Sequence, residues 1–257
     1  RWTHPLRTAP PTNGPRFAAQ PLADGGTPVH AWLSADRPPP LDLTECANLV
    51  VVAAHPDDET LGIGGTIAQL AASGIGVQLV SVSDGGAALP NVSVSERVRL
   101  EAARHDELLS AARILGAGRP LSLGLPDGQL TAHEDHLTGL LVEILRRAAA
   151  GTWCAATWRG DGHPDHEVVG RAAAAACART GVTLVEYPVW MWHWAKPFDL
   201  DVPWDRAYSV PLSRWALDQK SKAAQCFRSQ FEPYGPDAVL PPFVLDRLMA
   251  VGEVVFR

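Results

Sequence analysis

Five short apolar runs, separated mostly by stretches of helical period, are the feature that most limits what this chain can become. Leu49 to Ala54, Val77 to Val82, Leu121 to Leu123, Trp153 to Thr157 and Thr183 to Tyr187 read as buried strands. Between them, Thr60 to Ala72, Glu96 to Leu115, His133 to Ala149 and Asp165 to Arg179 read as helices. Such alternation, with strands apolar on both faces, predicts an α/β, Rossmann-like fold: a mostly parallel sheet with helices on both faces. Gly74, Gly116, Gly151 and Gly181 each fall just past a predicted helix, where a left-handed cap is wanted.

A length of 257 residues accommodates one large domain of this kind. Residues 1–44, rich in Pro and Gly as in Arg37-Pro38-Pro39-Pro40, read as an N-terminal extension, and 45–257 as the domain proper. Within that domain, 188–257 is expected to be the variable, substrate-specific part, because the alternation fades there into Trp-rich and Pro-rich sequence. One helix, Ser213 to Phe227, and a last apolar segment, Val254 to Phe256, are expected in it.

Apolar residues make up 46% of the chain and charged residues 19%, a globular balance. No apolar run approaches the roughly 20 residues of a membrane span, and residues 1–40 show no signal-peptide core. A net charge of -6, with lysine confined to positions 196, 220 and 222, argues against a nucleic-acid partner. Cys46, Cys154, Cys177 and Cys226 lie far apart with no Cys-x-x-Cys pair, as expected of reduced thiols in a cytoplasmic protein. The expectation is a protein that acts on a small molecule, without membrane or nucleic acid, as a monomer or a homo-oligomer.

The chemistry is concentrated in two motifs. His55-Pro56-Asp57-Asp58-Glu59-Thr60 follows the first strand directly, at the strand end where open α/β sheets bind ligands. A tight turn there aims His55 and Asp58 at one point, which suits a divalent ion, and leaves Asp57 free to act as a base. His163-Pro164-Asp165-His166 again follows a predicted strand and opens a predicted helix, and His166 is the choice for a third ligand. Three protein ligands leave a position for water, as in catalytic zinc sites, while ferrous iron suits the same donor set. A lone His-Pro-Asp is more often a capped helix start; two of them, each with a second carboxylate or imidazole next to the aspartate, are harder to explain by capping. Gly62-Ile63-Gly64-Gly65 lacks the Gly-x-Gly-x-x-Gly spacing of a dinucleotide site, and its acidic loop would repel a pyrophosphate.

With these motifs the chain resembles the PIG-L/LmbE family of metal-dependent N-acetylglucosaminyl deacetylases, whose hallmark Ala-His-Pro-Asp-Asp-Glu stands complete here as Ala54 to Glu59. The resemblance continues through Leu61-Gly62-x-Gly64-Gly65-Thr66, Ser83-Asp84-Gly85, Arg104-x-x-Glu107, Leu125-Pro126-Asp127-Gly128, the second histidine motif and Gln219-Lys220-Ser221-Lys222-Ala223, and covers roughly 49–234. It implies zinc held by His55, Asp58 and His166, with Asp57 as general base and His163, protonated, stabilising the oxyanion or assisting as acid. It further implies that Asp165 orients a histidine from the second shell and that Arg104 and Asp127 touch the sugar. Arg104 has an alternative, pairing with Asp106 or Glu107 on its own helix. The implied reaction is hydrolysis of the acetamide of an N-acetylated amino sugar or glycoconjugate. The alternatives are amide cleavage of another acyl group of a sugar conjugate and a non-catalytic sugar-binding homologue.

Trp190-Met191-Trp192-His193-Trp194, if extended, points three indoles one way. Trp190 and Trp192 then form a stacking platform for substrate, or the indoles pack beneath the N-terminal extension. His193 is not expected to be a ligand. Asp84-Gly85-Gly86-Ala87-Ala88 stands where the family has glutamate-rich text.

Overall fold

The computed structural model describes residues 12–89, 91–232 and 238–257. The first part of the N-terminal extension, 1–11, and Tyr234 at the far end of the resemblance lie outside the described residues. Among the described residues two short helices come first, α1 (Gly14–Ala18) and α2 (Val29–Leu33), followed by β1 (Asn48–Ala53), α3 (Asp58–Ala72), β2 (Gly76–Ser81), α4 (Val94–Leu115) and β3 (Leu121–Ser122). Then come α5 (Glu134–Arg146), β4 (Thr152–Thr157), α6 (Pro164–Thr180), β5 (Thr183–Tyr187) and α7 (Met191–Trp194). The last elements are β6 (Ala207–Val210), α8 (Arg214–Ala224), α9 (Arg228–Phe231), α10 (Pro242–Val251) and β7 (Glu253–Phe256).

The strands form a seven-stranded sheet in the order β3-β2-β1-β4-β5-β7-β6. The first five pair in parallel, and β7 and β6 close the edge antiparallel. The α/β, Rossmann-like expectation therefore holds. β1 explains why both faces must be covered: Leu49 and Val51 enter one apolar core, with α3, α4 and α8, while Val50 and Val52 enter the other, with α5 and α6. Each such buried Val or Leu contributes about 1.5–3 kcal/mol. α6 lies close to β4 because Gly170 carries no side chain; a Cβ there would overlap the Thr157 carbonyl. All four glycines expected at helix ends have positive φ, and Gly116 and Gly181 serve as C-caps.

The segment 12–44 packs along the chain between Gly160 and Val210. Asn13 Nδ2 donates to Gly160 O at 2.8 Å, Thr27 N donates to His193 O at 2.9 Å, and Leu41 N donates to Ser209 O at 2.8 Å. The last contact, with a bridge from Pro40 to Ser209, covers the β6 edge that would otherwise be unpaired.

The structure departs from the sequence reading in two ways: α1, α2, β6, α9 and α10 are additional elements, and the Trp190–Trp194 stretch is not extended but turns into the single helical turn of α7. Among the described residues no helix is long and apolar enough to cross a membrane, and all four cysteines are free.

Candidate metal centre and active-site cleft

β1 and β4 are parallel neighbours at the point where the strand order reverses, so the loops leaving their C-terminal ends meet at one edge of the sheet. The loop after β1 carries His55 to Asp57, and the loop after β4 ends in His163, the N-cap of α6, with Pro164 in the first turn.

There the two motifs converge. His55 Nδ1 lies 3.2 Å from Asp58 Oδ2, and His166 Nε2 lies 3.1 Å from Asp58 Oδ1, so one carboxylate stands between two imidazoles. The outer nitrogens have their own carboxylates: His55 Nε2 is 3.0 Å from Asp127 Oδ1 and 3.2 Å from Asp165 Oδ2, and His166 Nδ1 is 2.8 Å from Asp161 Oδ2. Carboxylates on the outer nitrogens favour N–H there and turn the inner lone pairs toward Asp58. His166 is completely buried, and its Nε2 makes no hydrogen bond despite its nearness to Asp58. A buried nitrogen left without a partner is costly, and a cation is what this donor set fits: ligand atoms of His55, Asp58 and His166 lie within 4.8 Å of one another. His55, His163 and Asp165 meet the same spacing, but Asp165 already accepts from Gly128 N at 2.8 Å and Leu130 N at 3.3 Å. The first set is the better seat.

Without a cation the cluster retains protons. Burial alone would lower His166, but Asp58 and Asp161 hold it up at about 9. His55, likewise opposed by burial, is held well above its usual range by Asp127, Asp165 and Asp58. Burial would raise Asp58, yet His166 and His55 hold it well below the carboxylate range.

Asp57 occupies the N-cap position of α3, yet its side chain makes no capping hydrogen bond. Its backbone has φ 125 and ψ -32, a region that costs a non-glycine residue about 1–3 kcal/mol. In this conformation the carboxylate lines the cleft rather than capping the helix end. Burial raises Asp57 to about 8, the nearby Arg104 works against this, and Asp58 and Glu59 reinforce it. Arg104, buried on α4, donates to Pro56 O at 2.6 Å and Gly85 O at 3.0 Å and approaches Asp57 Oδ2 at 3.2 Å. It does not pair along its own helix; Glu107 instead accepts from Ser229 N and Oγ at 2.8 and 2.6 Å.

His163 Nδ1 accepts from Asp165 N at 3.2 Å, which places a ring proton on Nε2. Burial, with the neighbouring His166 and His55, pushes its pKa down to about 3. Asp165 does lie against a histidine, His55. Asp127, expected at a sugar, bridges His55 and Ala87 N, the latter donating at 2.7 Å, while still lining the cleft.

The cleft has a volume of about 370 Å³, and His55, Asp57, Asp58, Arg104, Asp127 and His163 are among the residues that line it. Trp190 is on its wall; Trp192 is not. Trp192 packs edge-on against Trp32 of the extension at 4.9 Å and lines a separate cavity of about 90 Å³, so the two indoles form no common platform. The cause is Asp161, a residue without a sequence-level role: its carboxylate accepts from the N–H groups of Val189, Trp190 and Met191 at 2.9–3.0 Å and curls the chain into α7. The only signal for it was an aspartate between Gly160 and Gly162, just ahead of the second motif. His193 faces Gln20 O and Arg247, away from the cluster.

A family model described as "PIG-L: GlcNAc-PI de-N-acetylase" matches residues 50–177. A 1D-myo-inositol 2-acetamido-2-deoxy-alpha-D-glucopyranoside deacetylase from a Nocardioides species is 30% identical over 76% of this chain and 73% of its own length. The Rhodococcus opacus protein of the same description is 31% identical over 62% of this chain, and the chain spans 59% of that relative's length. The fold is shared with N,N'-diacetylchitobiose deacetylase from Pyrococcus horikoshii at a TM-score of 0.56 and 23% identity, covering 74% of this chain and 72% of that one. The family model spans both histidine motifs and the similarity to the Nocardioides relative covers most of both chains, and on that ground the chain belongs to the PIG-L family.

Proposed function

We propose that this protein is a divalent-metal-dependent hydrolase that removes acetyl from an N-acetylated amino sugar or glycoconjugate. The observation that carries the reading is the pairing of an unpartnered, fully buried His166 Nε2 beside Asp58 with an uncapped Asp57 on the open side of the same cluster. The deacetylase descriptions of its relatives support the reaction class.

His55, Asp58 and His166 hold the ion, zinc or ferrous iron by the chemistry of two imidazoles and one carboxylate. When bound, that ion supplies a Lewis acid that polarises the acetamide carbonyl and acidifies water near neutral pH. Asp57 takes the proton of the attacking water, helped into its charged form by Arg104 at 3.2 Å. His163 presents its neutral Nε2–H to the developing oxyanion. Asp57 then returns its proton to the leaving nitrogen; the C–N bond breaks, and acetate and a free amino sugar depart.

Acetate release from a panel of N-acetylglucosaminides by zinc- and iron-loaded protein tests this reading, with Asp57→Asn as control. Asp57→Asn is expected to lower turnover by about 10²–10⁴-fold with its metal content unchanged. Near-normal turnover with metal retained would overturn the role of Asp57.

A further inference from the structure

Glu167 is a buried carboxylate that takes no step in the hydrolysis. It follows His166 directly in α6, is 2% exposed, and turns back on the chain that leads into that helix. Its Oε1 accepts from Gly162 N at 3.1 Å and from Asn13 N at 2.9 Å, while its Oε2 accepts from Thr12 Oγ1. One side chain therefore ties the loop that carries His163 to the N-terminal segment.

That segment needs such a tie. None of residues 12–26 is buried, so packing alone gives it little local stability. Arg16 supplies a second hold, 2.5 Å from Asp199 and 2.7 Å from Asp201. Between these holds the segment lies directly on the second motif. A Cβ on Gly162, which has φ 92, would come within 2.8 Å of Phe17 Cβ, and Asn13 Nδ2 donates to Gly160 O at 2.8 Å. The Phe17 ring is 6.3 Å from that of His163, and both residues line the cleft.

His163 depends on this support. Among the described residues its ring makes a single hydrogen bond, from Asp165 N to Nδ1 at 3.2 Å, so the backbone that carries it must fix the rest of its placement. Misplacing a reacting group by about 1 Å can cost about 100-fold in rate. Resting on the deacetylase reading for its catalytic half, we propose that Glu167 is a positioning residue: by clamping the N-terminal segment to Gly162 it sets where His163 stands in the cleft. Residues 12–17 are then part of the active site although they lie outside the stretch matched by the family model.

Acetate release and amide exchange of the zinc-loaded full chain test this together. Glu167→Ala is expected to lower kcat by about 10–100-fold with KM and zinc content unchanged. Glu167→Gln is expected to restore most of that loss, because an amide oxygen still accepts from Gly162 and Asn13. Arg16→Ala loosens the segment away from the motif and serves where Glu167→Ala does not fold; it is expected to lower kcat by about threefold. In a His163→Ala background each variant is expected to change kcat by less than about twofold, since a residue acting through His163 has nothing left to place. Hydrogen exchange at the Gly162 amide, read by NMR, is expected to quicken by about tenfold in Glu167→Ala and about threefold in Arg16→Ala. A loss that persists in full without His163, equal losses in Glu167→Gln and Glu167→Ala, or Gly162 exchange indifferent to Arg16→Ala overturns the proposal. Wild-type protein that releases no acyl group sinks the deacetylase reading alone, and the clamp then stands or falls on Gly162 exchange.

Discussion

His166 Nδ1 and Asp161 Oδ2 lie 2.8 Å apart with both side chains fully buried, and the same Asp161 carboxylate binds three successive backbone N–H groups from Val189 to Met191. One side chain thus couples the orientation of a metal-facing imidazole to the loop that carries Trp190 onto the cleft wall.

Replacing it tests that coupling. Asp161→Asn removes the charge that fixes the His166 tautomer, and loss of such an outer partner typically weakens metal binding about 10–100-fold. Zinc affinity, measured by competition with a chromogenic chelator, is expected to fall within that range. An unchanged affinity would show that burial alone orients His166.

The protons held by the cluster set a pH dependence. His166 at about 9 and Asp57 at about 8, the first held up by carboxylates against burial and the second raised by burial, are both above their unfolded values, as is Glu59, which burial lifts to about 7. A group whose folded pKa is raised contributes stability that is complete below its unfolded pKa and lost as pH rises through the folded one. Chelator-treated protein is therefore expected to lose thermal stability between about pH 6.5 and 9. Metal binding displaces the His166 proton, so zinc affinity should rise over the same window, by about tenfold per pH unit for each proton released. A melting temperature of the chelated form that rises with pH, or an affinity flat over this range, contradicts this account.

What the sequence made legible follows from where physical constraints are local. The strands β1, β2, β4 and β5 were readable because burial on both faces demands unbroken apolar runs. β6 escaped because Ala207-Tyr208-Ser209-Val210 is half-buried near an edge, and α10 because its start, Pro241-Pro242, looks like a loop until the first-turn proline is recognised. His55, Asp58 and His166 were identifiable as a set because each motif sits directly after a strand of a parallel sheet, whose loop ends must meet. Asp161 was not, because besides His166 its partners are backbone groups of the distant segment Val189–Met191, which carry no side-chain signature. The same omission misled the reading of Trp190 to Trp194: an alternating aromatic run suggests a strand only when nothing gathers its N–H groups from one side.

The remaining prediction concerns the support beneath the first motif. α3 is broken at Ile63, which has φ -138 and ψ 26, and the N–H groups of Gly65 and Thr66 that follow the break both donate to Glu253 at 2.8 Å. Glu253 is neutralised by Lys220 Nζ at 2.9 Å, and both side chains are essentially excluded from solvent. Strand β7 thus caps the second half of the helix whose first turn carries Asp58. Removing one member of a buried ion pair leaves an uncompensated charge, at about 3–5 kcal/mol. Lys220→Met is expected to cost that much, read as a lowered urea midpoint with unchanged m. Lys220→Met with Glu253→Gln should recover a large part, because the glutamine oxygen still accepts from the helix while no charge is left buried. If Lys220→Met costs no more than about 1 kcal/mol, or the second substitution brings no recovery, the buried charge is not what holds β7 to the kinked helix.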